Sequence, residues 1–90
     1  MLKITGTGFH MTFANGWTAS VQFGPGTYSD NHDADFEPPQ FPYKSGDAEV
    51  AAWNGKGGLV KLGADTVAGR LDADAVLAFL NSVAAGEPKA

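Results

Sequence analysis

The chain predicts an α+β domain: a small antiparallel β-sheet of four or five strands in meander order, with one C-terminal helix packed on one face. Three observations carry that expectation. Residues 9 to 23 form two alternating runs about Asn15-Gly16, a strong short-range hairpin signal. Further short strand-like runs at 48–53, 59–62 and 66–71 are separated by glycine-rich turns. Residues 73–85 then switch to the 3.6-residue period of an amphipathic helix.

The elements follow in order. Leu2 to Thr7 opens the first strand, and Gly6 and Gly8 interrupt it. Glycine inside a strand pattern marks a bulge or a close backbone approach, so a bulge is expected there, leading into a strand from Phe9 to Phe13. Phe9, Met11 and Phe13 take one face, and His10 and Thr12 the other. After the turn, Trp17, Ala19, Val21 and Phe23 share a face opposite Thr18, Ser20 and Gln22. Gly24-Pro25-Gly26 ends this strand, because proline lacks a donor and fixes φ. Between Ala48 and Trp53, Glu49, Ala51 and Trp53 alternate with Ala48, Val50 and Ala52, and the Val50 face is the expected core side. Asn54 to Gly58 reads as a looser hairpin turn, Leu59 to Leu62 as a short strand, and Thr66 to Leu71 as a last edge strand. Asp72 is a good N-cap, Ala73, Val76, Leu77, Leu80, Val83 and Ala84 fall on one helix face, and Gly86 suits the C-terminal stop. The expected domain spans residues 1–86, with 87–90 as a flexible tail.

Residues 24–46 break this regularity. The stretch carries four of the five prolines, counting Pro25, and four of the ten acidic residues. A structureless connection of this length exceeds the usual loop in a compact domain, and such loops are functional or disordered. Asp30 to Glu37 reads as mobile and solvated, while Tyr28, Phe36, Phe41 and Tyr43 suggest that parts are pinned to the body.

Composition narrows the class of function. Ninety residues allow one small core, and the absence of cysteine removes disulfides and thiolate metal sites. The formal net charge of −4 argues against direct nucleic-acid binding, which needs a cationic face, and permits docking on a cationic partner. The opening residues hold no apolar run of signal-peptide or membrane-spanning length. The expectation is a soluble, cytoplasmic protein with no membrane contact.

The chemical motifs are weak. Asn31, Asp33, Asp35 and Glu37 place oxygen donors at alternate positions, as at the start of a calcium loop. The turn glycine and the bidentate Glu of such a loop are missing, so no metal site is expected. His32 lies beside three carboxylates, yet catalysis needs a preorganised site and no nucleophile accompanies it. His10 reads as a strand histidine. Neither Gly24-Pro25-Gly26 nor Asn54 to Gly58 leads from a strand into a helix, so neither fits a phosphate-binding loop. No cofactor, catalytic residue or enzymatic activity is expected.

The segments FHMTFANGWTASVQFGPGTY, SGDAEVAAWNGKGG and VAGRLDADAVLAFL resemble small uncharacterised proteins encoded by tailed phages and prophages. The shared hairpin has the form F-x-M-x-F-x-N-G-W-T-x-S-V-Q, matched here by Phe9, Met11, Phe13, Asn15, Gly16, Trp17, Thr18, Ser20, Val21 and Gln22. The resemblance implies a phage accessory protein acting in the host cell. Such proteins are often inhibitors of host enzymes or of host antiviral defence, and no catalytic residue comes with the likeness.

Three functional expectations result, the last a structural or assembly module that binds no ligand and self-associates through a sheet edge. In the first, a stoichiometric inhibitor docks on a cationic surface of a host protein through Tyr28, Asp30, His32, Asp33, Asp35, Phe36, Glu37 and Tyr43. In the second, an oligomer sequesters a nucleotide-like signalling molecule, with Lys56 and Arg70 holding phosphate and Trp53 the base. Homo-oligomer formation is open in the first two.

Overall fold

The computed structural model describes residues 1–34, 44–55 and 57–90. Five strands, β1 (Leu2–Ile4), β2 (Gly8–Thr12), β3 (Trp17–Gln22), β4 (Ala48–Asn54) and β5 (Ala68–Leu71), precede one helix, α1 (Ala73–Ala84). The sheet order is β1-β2-β3-β4-β5, and every neighbouring pair is antiparallel. This is the α+β meander with a C-terminal helix on one face.

The registers place side chains in rows across the sheet. Met11, Ala19 and Ala52 form one row, and Phe9, Val21 and Val50 the next. Both rows face α1, so the Val50 side of β4 is the core side. Ala19, Val21, Ala48, Val50, Ala52, Phe79 and Val83 make the buried cluster. Small alanines in the floor let the helix approach closely, and Phe79 fills the space they leave. Full burial of such a ring contributes about 1.5–3 kcal/mol.

The helix ends as its local sequence dictates. The Asp72 carboxylate accepts from the Ala75 amide at 2.9 Å, the N-cap bond expected of that residue. At the other end Gly86 takes φ +81, its amide donates to the Val83 carbonyl, and the Glu87 amide donates to the Ser82 carbonyl. This pair of bonds is the Schellman stop that glycine permits. The tail returns to the helix, where the Lys89 amide donates to Ser82 Oγ at 2.9 Å.

The central hairpin also ties down α1. Gly16 donates to the Phe13 carbonyl, Phe13 donates to the Trp17 carbonyl, and Gly16 has φ +88. The connection is thus a three-residue loop with glycine in the left-handed position. Asn15 Nδ2 donates to the Val83 and Ala84 carbonyls at 3.2 and 2.8 Å, satisfying acceptors that the helix end leaves open. Asn15→Ala is expected to cost about 1–2 kcal/mol, read as a lower Tm in a thermal melt.

Three strand expectations are corrected. The chain does not run from Leu2 through a bulge into β2. It reverses over Thr5 to Thr7, with the Thr5 amide donating to Gly8 at 2.9 Å, and β1 pairs back on β2. Leu2 and Ile4 alternate identically whether the chain bends or turns back, so periodicity could not distinguish the two. Leu59 to Leu62 is not a strand but touches β4 through a single Trp53–Leu59 bridge and the Val60 amide on the Ala52 carbonyl. The last strand is shorter than Thr66 to Leu71, starting at Ala68, and its register to β4 shifts between Ala48 and Val50.

Candidate functional site

At the Ala48 end of the sheet, residues 24 to 34 fold into a chain of tight turns. The threonine and serine spacing explains why. Thr27 Oγ1 donates to the Gly24 carbonyl at 2.7 Å and lies 2.7 Å from Ser29 Oγ, which accepts from the Asn31 amide. These short side chains replace a backbone ladder with local bonds. Asn31 Nδ2 reaches the Phe23 and Lys44 carbonyls at 2.7 and 3.1 Å, joining both ends of the excursion. Thr27 and Ser29 are buried. Within this turn the Gly24, Thr27, Tyr28, Ser29, Asn31 and His32 carbonyls and the Thr27 and Ser29 hydroxyls have internal partners, while Asp30, His32 and Asp33 are exposed, as expected of a solvated segment.

The turn is then fastened to β4 and β5. Arg70 has φ +62, the left-handed region, and is the one non-glycine residue there among those described. This twist in β5 lets the Arg70 amide donate to the Tyr28 carbonyl at 3.0 Å, outside the β4 ladder. Gly69 beside it has no room for a side chain, since a Cβ there would lie 2.6 Å from Tyr28 Cβ. The Tyr28 amide faces Glu49 Oε1 at 3.4 Å, and the Asp30 amide donates to Asp47 Oδ1 at 2.7 Å. Asp30 Oδ2 accepts from the Gly46 amide at 3.1 Å.

The result is a fixed acidic patch. The Arg70 guanidinium lies 3.4 Å from Asp30 and 3.8 Å from Asp47. Asp30 and Asp47 set two carboxylates against this one guanidinium, Glu49 faces the Tyr28 amide and Asp33 is exposed on the same turn, so acidic side chains outnumber it here. Tyr28 is exposed and its ring stacks on His32, with centroids 6.2 Å apart and planes 21° apart. His32 Nδ1 lies 2.9 Å from the Thr27 carbonyl, which orients the imidazole over the turn.

Of the residues expected to bind a partner, Tyr28, Asp30, His32 and Asp33 therefore share one surface. Asp35, Phe36, Glu37 and Tyr43 lie outside the described residues, as does Lys56. Asp47 and Glu49 belong to the patch although sequence spacing did not place them there. Their only signal was two acids at the entry to β4, across a long connection from Asp30.

Within one copy of the chain, Arg70 and Trp53 of the second expected site stand apart. Arg70 lies beside the Ala48 end of β4, whereas Trp53 is near the other end, roughly 17 Å away at about 3.4 Å per residue. Arg70 is also already engaged by two carboxylates. Trp53 packs edge-on against His10 with centroids 5.0 Å apart, on the sheet face turned away from α1. The Thr18, Ser20 and Gln22 stripe on that face bonds internally: Thr18 to Thr12 at 2.9 Å, and Gln22 Nε2 to Ser20 Oγ at 3.0 Å. Gln22 Oε1 also accepts from Thr5 and Thr7.

Across Asp47 from the patch, an apolar cavity of about 390 Å³ opens between α1 and the sheet, lined among others by Phe9, Phe23, Leu71 and Val76. Among the described residues no three His, Asp or Glu side chains gather as for a metal ion, and no helix is long and apolar enough to cross a membrane. No family model matches the chain, and neither curated proteins nor solved structures yield a match.

Proposed function

We propose that the protein is a phage-type accessory protein that acts by binding, a stoichiometric inhibitor that docks on a cationic surface of a host protein, such as a component of an antiviral defence system. The single observation that carries this reading is the fixed acidic patch: Tyr28, Asp30, His32 and Asp33 held on a hydrogen-bonded turn that β5 clamps through Arg70. A preorganised surface loses little conformational entropy when it binds. Carboxylates at its rim speed encounter with an oppositely charged partner, and an exposed aromatic supplies the apolar anchor. The alternative, sequestration of a nucleotide-like molecule, has less support because Arg70 faces Asp30 and Asp47 rather than an open pocket.

The test compares the wild-type chain with Asp30→Asn/Asp33→Asn in affinity capture from a bacterial lysate. A cationic protein is expected to be retained by the wild type at equal stoichiometry, with an association rate that falls as salt rises. The double variant is expected to lose it at least tenfold. Asp65→Asn/Glu87→Gln, which removes as much charge away from the patch, is expected to keep it. Retention by the patch variant, or binding that ignores salt, refutes the docking surface.

A further inference from the structure

We infer that the protein self-associates face to face, a second copy laying its β1–β2 hairpin on the apolar face that α1 leaves open. The rows across the sheet extend to its edge, because Leu2 stands opposite Met11 and Ile4 opposite Phe9. Opposed residues of antiparallel strands point to the same side, so Leu2 and Ile4 belong to the core face. Exposure nonetheless falls steeply along each row. Leu2 is 75% exposed where Ala19 and Ala52 are 0%, and Ile4 is 90% exposed where Val21 is 3% and Val50 1%.

Geometry explains the gradient. Five strands about 4.8 Å apart make a sheet roughly 20 Å wide, and one helix about 10 Å across spans only part of it. Helix α1 packs on β3, β4 and β5, and on neither β1 nor β2. Its one strongly exposed leucine borders the open part. Ala73 lines the cavity beside Phe9, and Leu77 lies one turn further along the same flank, exposed. Leu2, Ile4, Phe9 and Met11 thus form a floor, and Leu77 forms a wall.

Charge and layer spacing select the occupant. The floor carries no charged side chain, since Lys3 and His10 sit opposite each other on the reverse face. Residues 1–29 contain no Asp or Glu, so two β1–β2 hairpins bring no carboxylate of their own to each other although the chain carries net charge −4. A charged partner gains nothing from such a surface, whereas a neutral patch suits its own copy. A two-fold axis parallel to the strands buries the same patch on both copies. Stacked sheets pack about 10 Å apart and helices pack at 8–10 Å, so the second hairpin fits in the layer that α1 already occupies.

Edge-to-edge pairing of β1 is the rival arrangement, and the sequence opposes it. Met1 exchanges two bonds with Thr12, and the Thr5 amide bonds Gly8, so Leu2 and Ile4 turn their own backbone groups outward. The register that would use them sets Lys3 opposite the partner's Lys3, and like charges directly opposite destabilise a strand pair.

Sedimentation velocity on the full chain, from about 1 to 200 μM, tests the assignment. The wild type is expected to move from monomer to dimer mass, and Lys3→Glu, on the reverse face, to do the same. Ile4→Asp and Leu77→Asp, each at an exposed position, are expected to stay monomeric with an unchanged circular dichroism spectrum. Amide exchange at Leu2 and Ile4 is expected to stay faster than in the β3–β4 ladder. The inference is overturned by a wild type that is monomeric throughout, by dimers that survive both Asp variants, or by protection of the Leu2 and Ile4 amides to the level of that ladder, which signals edge pairing.

Discussion

Replacing Phe79 by alanine is expected to destabilise the protein by about 3–5 kcal/mol, the usual cost of emptying a buried aromatic site. The ring is 1% exposed and is the largest of the fully buried side chains. It comes down from α1 onto a floor of Ala19, Val21, Val50 and Ala52, whose short side chains cannot extend into the space it would vacate. Val83 is the helix's other fully buried side chain and cannot replace the lost volume. Domains of this size are stable by only about 5–15 kcal/mol, so the change removes a large share of the total. Urea denaturation is expected to show a lower midpoint with an unchanged slope, since the loss lies in packing and not in the extent of unfolding. A loss below about 1 kcal/mol would mean that the helix is not the lid of this core.

Gly8→Ala is the second large effect, and it acts through the backbone. A Cβ at residue 8 would overlap the Val21 carbonyl oxygen and lie 2.8 Å from Gln22 Cα. Both belong to the chain of β3, the strand that pairs with β2 on one side and β4 on the other. Neither can rotate away as a side chain would. Relief requires β2 to separate from β3 at its first rung, where Gly8 stands opposite Gln22. A cost of about 3 kcal/mol or more is expected, at the upper end of overpacking. Gly6→Ala provides the control, because a Cβ there meets nothing within 4 Å and is expected to change stability by less than about 0.5 kcal/mol. Thermal melts of the two variants side by side check the pair, and equal melting temperatures would refute the close approach at Gly8.

These two glycines also show where reading the chain succeeds and where it stops. Both signalled an interruption in the first strand, and one bulge near Gly6 to Gly8 was the expectation. In the fold they do different jobs. Gly6 sits in the reversal between β1 and β2, and Gly8 lets two backbones approach. Only the partner strand distinguishes them, and the partner strand is not local information.

The acidic patch divides in the same way. Tyr28, Asp30, His32 and Asp33 stood out because aromatic and acidic residues cluster in a stretch without periodicity. Their fixed arrangement did not stand out, because it depends on Asp47, Glu49 and the left-handed Arg70, far along the chain. Nothing in the letters Gly69-Arg70-Leu71 announces positive φ at an arginine. That conformation is uphill for a side chain with a Cβ, and the surrounding bonds to Tyr28 and Asp30 hold it.

Local physics settles the parts of this protein that need no distant partner. Asn15-Gly16 turns the chain because glycine reaches φ +88 without strain. Asp72 and Gly86 bound the helix because one supplies an acceptor and the other a left-handed residue. Alternation assigns Val21 and Val50 to the buried side because strand side chains alternate between faces. The remaining choices belong to the assembled fold. They are the reversal at Thr5 to Thr7, the clamp of Arg70 on the turn and the limited reach of one helix over five strands. The reversal rests on β1 pairing back on β2, which alternation alone does not reveal, and the other two rest on contacts between segments far apart in sequence, for which hydrophobic pattern carries no term.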